Sequence, residues 1–111
     1  MSERTFRVPT QEGVREVPLL QRFSHYIGGI QHWFAIHTYL EDQDPVLSEW
    51  YSGMRVSSLH FLKVGLNTLH MTNLERAKFK LNQLEQALGG RAMHDKISAA
   101  ILANNLNPKL T

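Results

Sequence analysis

Apolar side chains recur at steps of three and four residues through the first third of the chain. The stripe runs through Leu20, Phe23, Ile27, Ile30 and Phe34 to His37. Such spacing is typical of the buried face of an α-helix, which has about 3.6 residues per turn. Because Pro18 suits the first helical turn, the pattern predicts a helix over 18–40.

Two adjacent glycines, Gly28 and Gly29, lie in the middle of this predicted helix. Each disfavours a helix by about 1 kcal/mol relative to alanine. Either the helix breaks there, or the missing side chains let another backbone approach closely. Because the apolar stripe keeps its phase across the pair, we favour the close approach.

A second helix is predicted after the polar stretch that ends at Asp44 and Pro45. Aspartate is a favourable N-cap residue, and proline is well placed at the first helical position. Apolar residues further along fall on two faces of a helix over 45–71. This helix is therefore expected to be central, with neighbours on two sides.

Two more helices are predicted in the last third of the chain. Thr72 and Glu75 match a capping box, in which each side chain bonds the other residue's main-chain N–H. The box begins a helix over 73–88, although a continuous rod with the 45–71 helix also fits the pattern. A last helix over 92–104 follows a pair of glycines.

The first 17 residues have a different texture. Apolar and polar residues alternate in 5–8 and in 14–17, and a segment with proline and glycine lies between them. This pattern predicts a short β-hairpin or an extended arm over 1–17, which must pack on the helices or on a partner. The expected fold class is mainly α: a single domain over 1–111 with three or four helices in a bundle-like arrangement and this N-terminal hairpin or arm.

Composition narrows the class of protein. Of the 111 residues, 42% are hydrophobic and 20% are charged, which favours a globular chain over a disordered one. The absence of cysteine excludes a disulfide scaffold and a thiolate zinc site. A polar N-terminus and the lack of a long apolar run predict a cytoplasmic protein with no membrane partner.

An acidic cluster near a histidine raises the question of catalysis. Its members are Glu41, Asp42, Asp44 and Glu49, with His37 nearby in the chain. Solvated carboxylates and N-caps gather in loops between helices, which accounts for these residues without chemistry. Since no known catalytic motif is present, the chain is expected not to be an enzyme and to need no cofactor.

Six histidines in so short a chain make metal binding an alternative function. None lies three or four residues from another, the spacing that places two ligands on one helical face. His25 and His32 would share a face but lie about 10 Å apart along a helix. The alternative metal ligands are therefore His25, His32 and His37, whereas structural histidines are the simpler interpretation.

The basic C-terminal third supports the first alternative to the preferred function, contact with nucleic acid, and metal binding ranks third after it. The candidate residues are Arg76, Lys80, Arg91 and Lys96. Glu85 and Asp95 interrupt the patch, and few side chains there are suited to reading base edges. An ordinary solvated helix face explains the same residues.

Large aromatic side chains favour a protein partner. The candidate partner-binding residues are Trp33, Tyr39, Trp50, Tyr51 and Phe79. They are more than a domain of this size is expected to bury, and aromatic residues are enriched at interfaces. The preferred interpretation is a non-enzymatic regulatory or adaptor protein that acts through helix-mediated protein contacts as a homodimer.

Overall fold

The fold is built on an antiparallel sheet, which corrects the predicted mainly α class. A computed structural model describes residues 4–40 and 43–110. The five strands are β1 (Thr5–Thr10), β2 (Gly13–Ile27), β3 (Ile30–His37), β4 (Val46–Glu49) and β5 (Arg55–Ser58). The helical elements are α1 (Phe61–Val64), a 3-10 turn (Leu66–Thr68), α2 (Asn73–Leu88) and α3 (Gly90–Ala103). The prediction of an all-α helical bundle is therefore wrong.

The strands follow one another in the sheet in the order β1-β2-β3-β4-β5. Each is antiparallel to the next, so β1 and β5 are the two outer strands. The β1–β2 hairpin lies at the residues where a hairpin or arm is predicted, but it belongs to the larger sheet.

The predicted helix over 18–40 is replaced by part of β2 and by β3. Gly28 and Gly29 have φ angles of 59° and 80° and form the turn between these strands. Two-residue hairpin turns often require positive φ at both positions, which glycine adopts without strain. The glycine pair is therefore a hairpin turn and not a site within a helix.

The helix-like spacing of the apolar stripe has a simple origin in this hairpin. Phe23 pairs with Phe34, and Ile27 pairs with Ile30 across the turn. Paired residues point to the same face of the sheet. A hairpin folded at 28–29 thus places Phe23, Ile27, Ile30 and Phe34 on one face, as a helix would. His37, three residues after Phe34, lies on the opposite face.

The predicted helix over 45–71 is also wrong, since this segment contains β4, β5 and the short α1. The turn between β4 and β5 is fixed by the buried Glu49 carboxylate, which accepts from the Tyr51 N–H at 2.9 Å and the Ser52 N–H at 2.8 Å. At Gly53 the φ angle is +69°, and an added Cβ would clash with the main chain of Arg7. Glycine is needed here for both conformation and space.

The last two helices lie close to their predicted positions. α2 occupies the residues predicted as 73–88, and both hydrogen bonds of the Thr72 and Glu75 capping box are present. α3 begins at Gly90, two residues before the predicted start. A Cβ at Gly90 would lie 3.0 Å from the Gly28 Cα, so a close backbone approach does occur, between the hairpin turn and the start of α3.

Alternating side chains give the sheet two apolar faces. The helices cover one face, and the core between this face and the helices consists of Phe23, Ile27, Phe34, Ile36, Leu47, Leu59, Val64, Ala77, Leu81, Met93 and Ile97. The second face carries a smaller core formed by Phe6, Val8, Val17, Ala35 and Trp50.

The chain after α3 closes the second core. The indole N–H of Trp50 donates to the Pro108 carbonyl at 2.8 Å. The side-chain amide of Asn107 donates to the carbonyls of Arg7 at 2.9 Å and Trp50 at 2.8 Å, and its oxygen accepts from the Arg7 N–H. This C-terminal segment therefore covers part of the outer edge of β1.

Candidate binding site at the sheet edge

The outer edge of β5 is open. Leu59 N–H donates to the Pro45 carbonyl at 2.9 Å, so this pair faces inward, towards β4. Inward and outward main-chain groups alternate along an antiparallel strand. The main-chain groups of Ser58 therefore point away from β4.

Arg55 has the same orientation at the other end of the strand. Glu49 N–H donates to the Met54 carbonyl at 2.8 Å, and Arg55 follows this bonded pair. A bulge between the two ends of β5 preserves the outward direction at both. Among the described residues, neither the Arg55 N–H nor the Ser58 N–H donates a hydrogen bond, whereas the Ser58 carbonyl accepts one from the Ser57 hydroxyl at 2.8 Å.

An apolar cleft borders this open edge. It lies between β5 and helices α2 and α3 and has a volume of about 160 Å³. Its apolar lining includes Phe34, Val56, Leu81, Leu84, Leu88 and Met93. An engineered cavity of about 150 Å³ holds a benzene ring, whereas pockets for drug-sized ligands measure about 300–1,000 Å³. The cleft therefore has room for one large apolar side chain.

The mouth of the cleft is positively charged. Leu88 is 49% exposed, and Lys96 is also exposed beside it. Arg55 pairs with Ser48 in the sheet, and paired side chains point to the same face. The Ser48 hydroxyl bonds His37 on the face opposite the helices. The Arg55 side chain therefore points away from the cleft. Since the described lining includes no carboxylate, Lys96 is free to pair with an acidic group of a ligand.

The aromatic residues predicted to bind a partner lie on two different faces of the sheet. Trp50 is buried in the second core, and Trp33, Tyr39 and Tyr51 are partly buried against it. Phe79 packs against the core beneath the helices. The structure does not bring the five together into one exposed surface.

The basic residues proposed for nucleic-acid contact also differ in their exposure to solvent and in their hydrogen bonds. The Arg76 guanidinium bonds main-chain carbonyls between β5 and α2. Lys80 is partly buried on α2, whereas Arg91 and Lys96 are exposed on α3. The guanidinium of Arg76 is thus engaged within the protein, and Lys96 lies at the cleft.

Two of the histidines proposed as metal ligands become neighbours across the β2–β3 hairpin. His25 pairs with His32, and each meets a helix: His25 Nε2 lies 3.2 Å from Asn82 Oδ1, and His32 Nε2 lies 3.4 Å from His94 Nδ1. Burial, and after it the electrostatic effect of the neighbouring His94, lowers the pKa of His32. In the described ranges, no group of three or more histidine or acidic side chains is placed to hold a metal ion.

His37 lies on the other face, fully buried beside Ser48. Its Nε2 is 2.7 Å from Ser48 Oγ, and its Nδ1 is 3.4 Å from the Thr38 carbonyl. Because a carbonyl only accepts, the proton lies on Nδ1 and Ser48 donates to Nε2. Burial, which the Thr38 hydrogen bond opposes and the Arg55 charge reinforces, lowers the pKa of His37 to about 4. A substrate has no access to this serine–histidine pair.

The acidic cluster near His37 is dispersed. The Glu49 carboxylate is buried in the turn after β4, whereas Asp44 is exposed. Glu41 and Asp42 lie outside the described residues.

Of the described residues that line the cleft, Lys96 alone is among the candidates that the sequence predicts, and it is predicted there for nucleic-acid contact. Leu84 and Leu88 lie in α2, where leucines and an alanine recur at steps of three and four residues, a spacing that also fits an internal helix seam. Val56 lies in a segment that the pattern assigned to a helix. The only available signal was the position of Leu88 at the exposed end of α2, directly before a glycine.

The chain matches no protein-family model, and comparisons with curated proteins and with solved structures find no significant similarity. Among the described residues, no helix is both long enough and apolar enough to cross a membrane.

Proposed function

We propose that this protein is a non-enzymatic adaptor that binds an extended segment of a partner protein along β5. The segment adds a strand to the sheet and inserts one large apolar side chain into the cleft. The observation that carries this proposal is the contact between an open strand edge and a cavity sized for one side chain. Strand addition is a common mode of peptide recognition, in which edge hydrogen bonds give affinity and pockets give specificity.

The expected affinity follows from the size of the site. A four-residue edge offers few hydrogen bonds, each with a net contribution of about 0.5–1.5 kcal/mol. A buried leucine or phenylalanine side chain adds about 1.5–3 kcal/mol. Most of the specificity therefore comes from the anchor side chain, and binding is expected to be weak and reversible.

The charge at the mouth favours a particular kind of segment. Lys96 lies beside the exposed edge of the cleft and attracts a carboxylate next to the anchor. If two copies of this chain paired through β5, their Lys96 side chains would supply no such carboxylate. We therefore favour a different protein as the partner, and a homodimer through β5 is the competing outcome.

Display of random extended peptides on the full chain tests this function. Peptides selected on the wild-type protein are expected to share one large apolar residue with an acidic neighbour. Leu88→Glu places a charge at the mouth and should weaken binding by at least about tenfold. The matched control is Leu102→Glu on α3, where the leucine is 90% exposed and outside the cleft lining.

Two results would contradict the proposal. Selected peptides that bind the Leu88→Glu protein as well as the wild type do not use the cleft. Light scattering that shows a stable dimer, disrupted by Leu88→Glu and not by Leu102→Glu, would assign the β5 edge to a second copy of the chain.

A further inference from the structure

The segment between β5 and α2 is a closed loop with a fixed backbone. We call residues 59–72 the leucine loop; it contains α1 and the 3-10 turn. The guanidinium of Arg76 donates to the carbonyls of Leu59 at 3.1 Å and Met71 at 3.0 Å, near the two ends of the loop. Further bonds from this group reach the carbonyls of Thr68 and Leu69. The Arg76 side chain thus holds the two ends of the loop close together.

Other hydrogen bonds within the loop give partners to more of its main-chain groups. The His60 ring accepts from the Leu62 N–H at 3.2 Å and caps α1. The Thr68 hydroxyl donates to the Gly65 carbonyl at 2.6 Å. Compact loops of this kind, with their ends close together, are frequently functional.

Side chains of the leucine loop divide into inward and outward sets. Leu59, Val64 and Thr68 are buried. The outward set consists of three leucines, and the exposed fractions are 65% for Leu62, 71% for Leu66 and 50% for Leu69. The hydrogen-bonded backbone of the loop holds these large apolar side chains outward. Their exposed apolar area contributes nothing to the stability of the fold, because it is not removed from water.

The chemistry of the loop defines the partner that fits it. Its main-chain groups are largely satisfied internally, so a partner must dock through side chains and not by adding a strand. An amphipathic helix provides an apolar face of this kind. The leucine loop contains the exposed Lys63 and no aspartate or glutamate, and the carboxylate of Glu75, just after the loop, is bonded to the Thr72 N–H. Charge complementarity therefore favours a helix with carboxylates beside its apolar stripe.

We propose that the leucine loop is a second docking surface, which binds an acidic amphipathic helix of a partner protein through Leu62, Leu66 and Leu69. This surface differs from the β5 edge in mode, because it recognises side chains of a helix and offers no free strand. The inference does not depend on the function proposed for β5.

Two synthetic helical peptides of about five turns test this proposal. One carries a leucine stripe flanked by glutamates, and the other has lysines in place of the glutamates. Binding to the full chain is followed by NMR of methyl-labelled leucine. The glutamate peptide is expected to shift the methyl signals of Leu62, Leu66 and Leu69 and to bind at least about tenfold tighter than the lysine peptide.

Substitutions locate the contact. Leu66→Glu should abolish binding of the glutamate peptide, whereas Leu102→Glu and Leu88→Glu should leave it unchanged. Lys63→Glu should reduce the preference for the glutamate peptide or reverse it. The proposal is overturned if the two peptides bind equally, if neither shifts the three methyl signals, or if Leu102→Glu or Leu88→Glu weakens binding as much as Leu66→Glu does.

Discussion

Asn107 pairs with both main-chain groups of Arg7, at 2.9 Å from the amide oxygen to the Arg7 nitrogen and 2.9 Å from the amide nitrogen to the Arg7 oxygen. A side chain thereby takes the place of a neighbouring strand on the outer side of β1. On the outer side of β5, among the described residues, the N–H groups of Arg55 and Ser58 have no acceptor, and the Ser57 hydroxyl bonds the Ser58 carbonyl at 2.8 Å. Because unpaired edges invite pairing with other chains, the difference between the two edges is the reason for proposing β5 as the partner site.

Replacing Asn107 should destabilise the fold. Asn107→Leu removes the partners of the Arg7 and Trp50 main-chain groups, so we expect the free energy of unfolding to fall by about 1–3 kcal/mol. Urea denaturation measures this change. The control is Asn105→Leu, an exposed position in the same segment, which should change stability by less than about 0.5 kcal/mol. Equal losses in both variants would show that the Asn107 bonds are not responsible.

Arg76 should matter for stability because it holds the leucine loop closed. Arg76→Met keeps much of the apolar stem but removes the donors to four carbonyls, and we expect a loss of about 2–3 kcal/mol. Amide exchange within 59–72 should become faster. Arg91→Met, at an exposed position on α3, is the control and should have little effect. An unchanged exchange rate in the loop would contradict this role of Arg76.

His37 should make the protein less stable in mild acid. Its folded pKa is about 4 against an ordinary value of 6.5, so between these pH values the unfolded chain binds a proton that the folded chain does not. Stability is therefore full above pH 6.5 and falls as the pH is lowered, by up to about 3 kcal/mol near pH 4. The lowered pKa of His32 acts in the same direction.

Two measurements check the His37 prediction. Urea denaturation at pH 7 and pH 5 should show a smaller pH dependence for His37→Gln than for the wild type. An NMR titration of the His37 ring should show no protonation until well below pH 6. Titration near pH 6.5 in the folded protein would be inconsistent with the burial of this ring.

The charge at the cleft can be tested separately from its apolar part. Lys96→Glu should weaken selected peptides that carry an acidic neighbour and strengthen variants in which that neighbour is lysine. Lys109→Glu is the control, because Lys109 is exposed and does not line the cleft. Fluorescence anisotropy with the two peptides measures the preference. The same loss for both lysine variants would indicate a general charge effect and not a contact at the mouth.

The sequence predicted α2 well because the signals there are local. Thr72 and Glu75 form a capping box whose two hydrogen bonds depend on residues three apart. A glycine pair ends the helix directly after Leu88. Such signals act within a few residues and do not depend on the rest of the fold.

The sheet was missed because its pairing depends on residues distant in the chain. A period of three to four residues in β2 and β3 imitates a helix when the hairpin is folded at Gly28 and Gly29. The glycine pair between apolar runs is itself a hairpin signal, and in this chain it decides the structure against the apolar stripe. Asp44 and Pro45 predict the start of a helix, but in the structure they directly precede β4.

The candidate site could not be derived from sequence because no local pattern marks it. The cleft joins Val56 of β5 to Leu84 and Met93 of two different helices. The opening at β5 depends on the order of the strands, and the closure of β1 depends on Asn107, which is 100 residues from Arg7. These relationships exist only in the folded chain.

Amide hydrogen exchange along β5 tests the proposed function most directly. In the free protein, the outward amides of Arg55 and Ser58 should exchange faster than the inward amides of Ser57 and Leu59. A bound peptide selected on the wild-type protein should slow the Arg55 and Ser58 amides and leave the inward pair nearly unchanged. If the peptide binds while Arg55 and Ser58 keep their free exchange rates, no strand is added to β5 and the account is wrong.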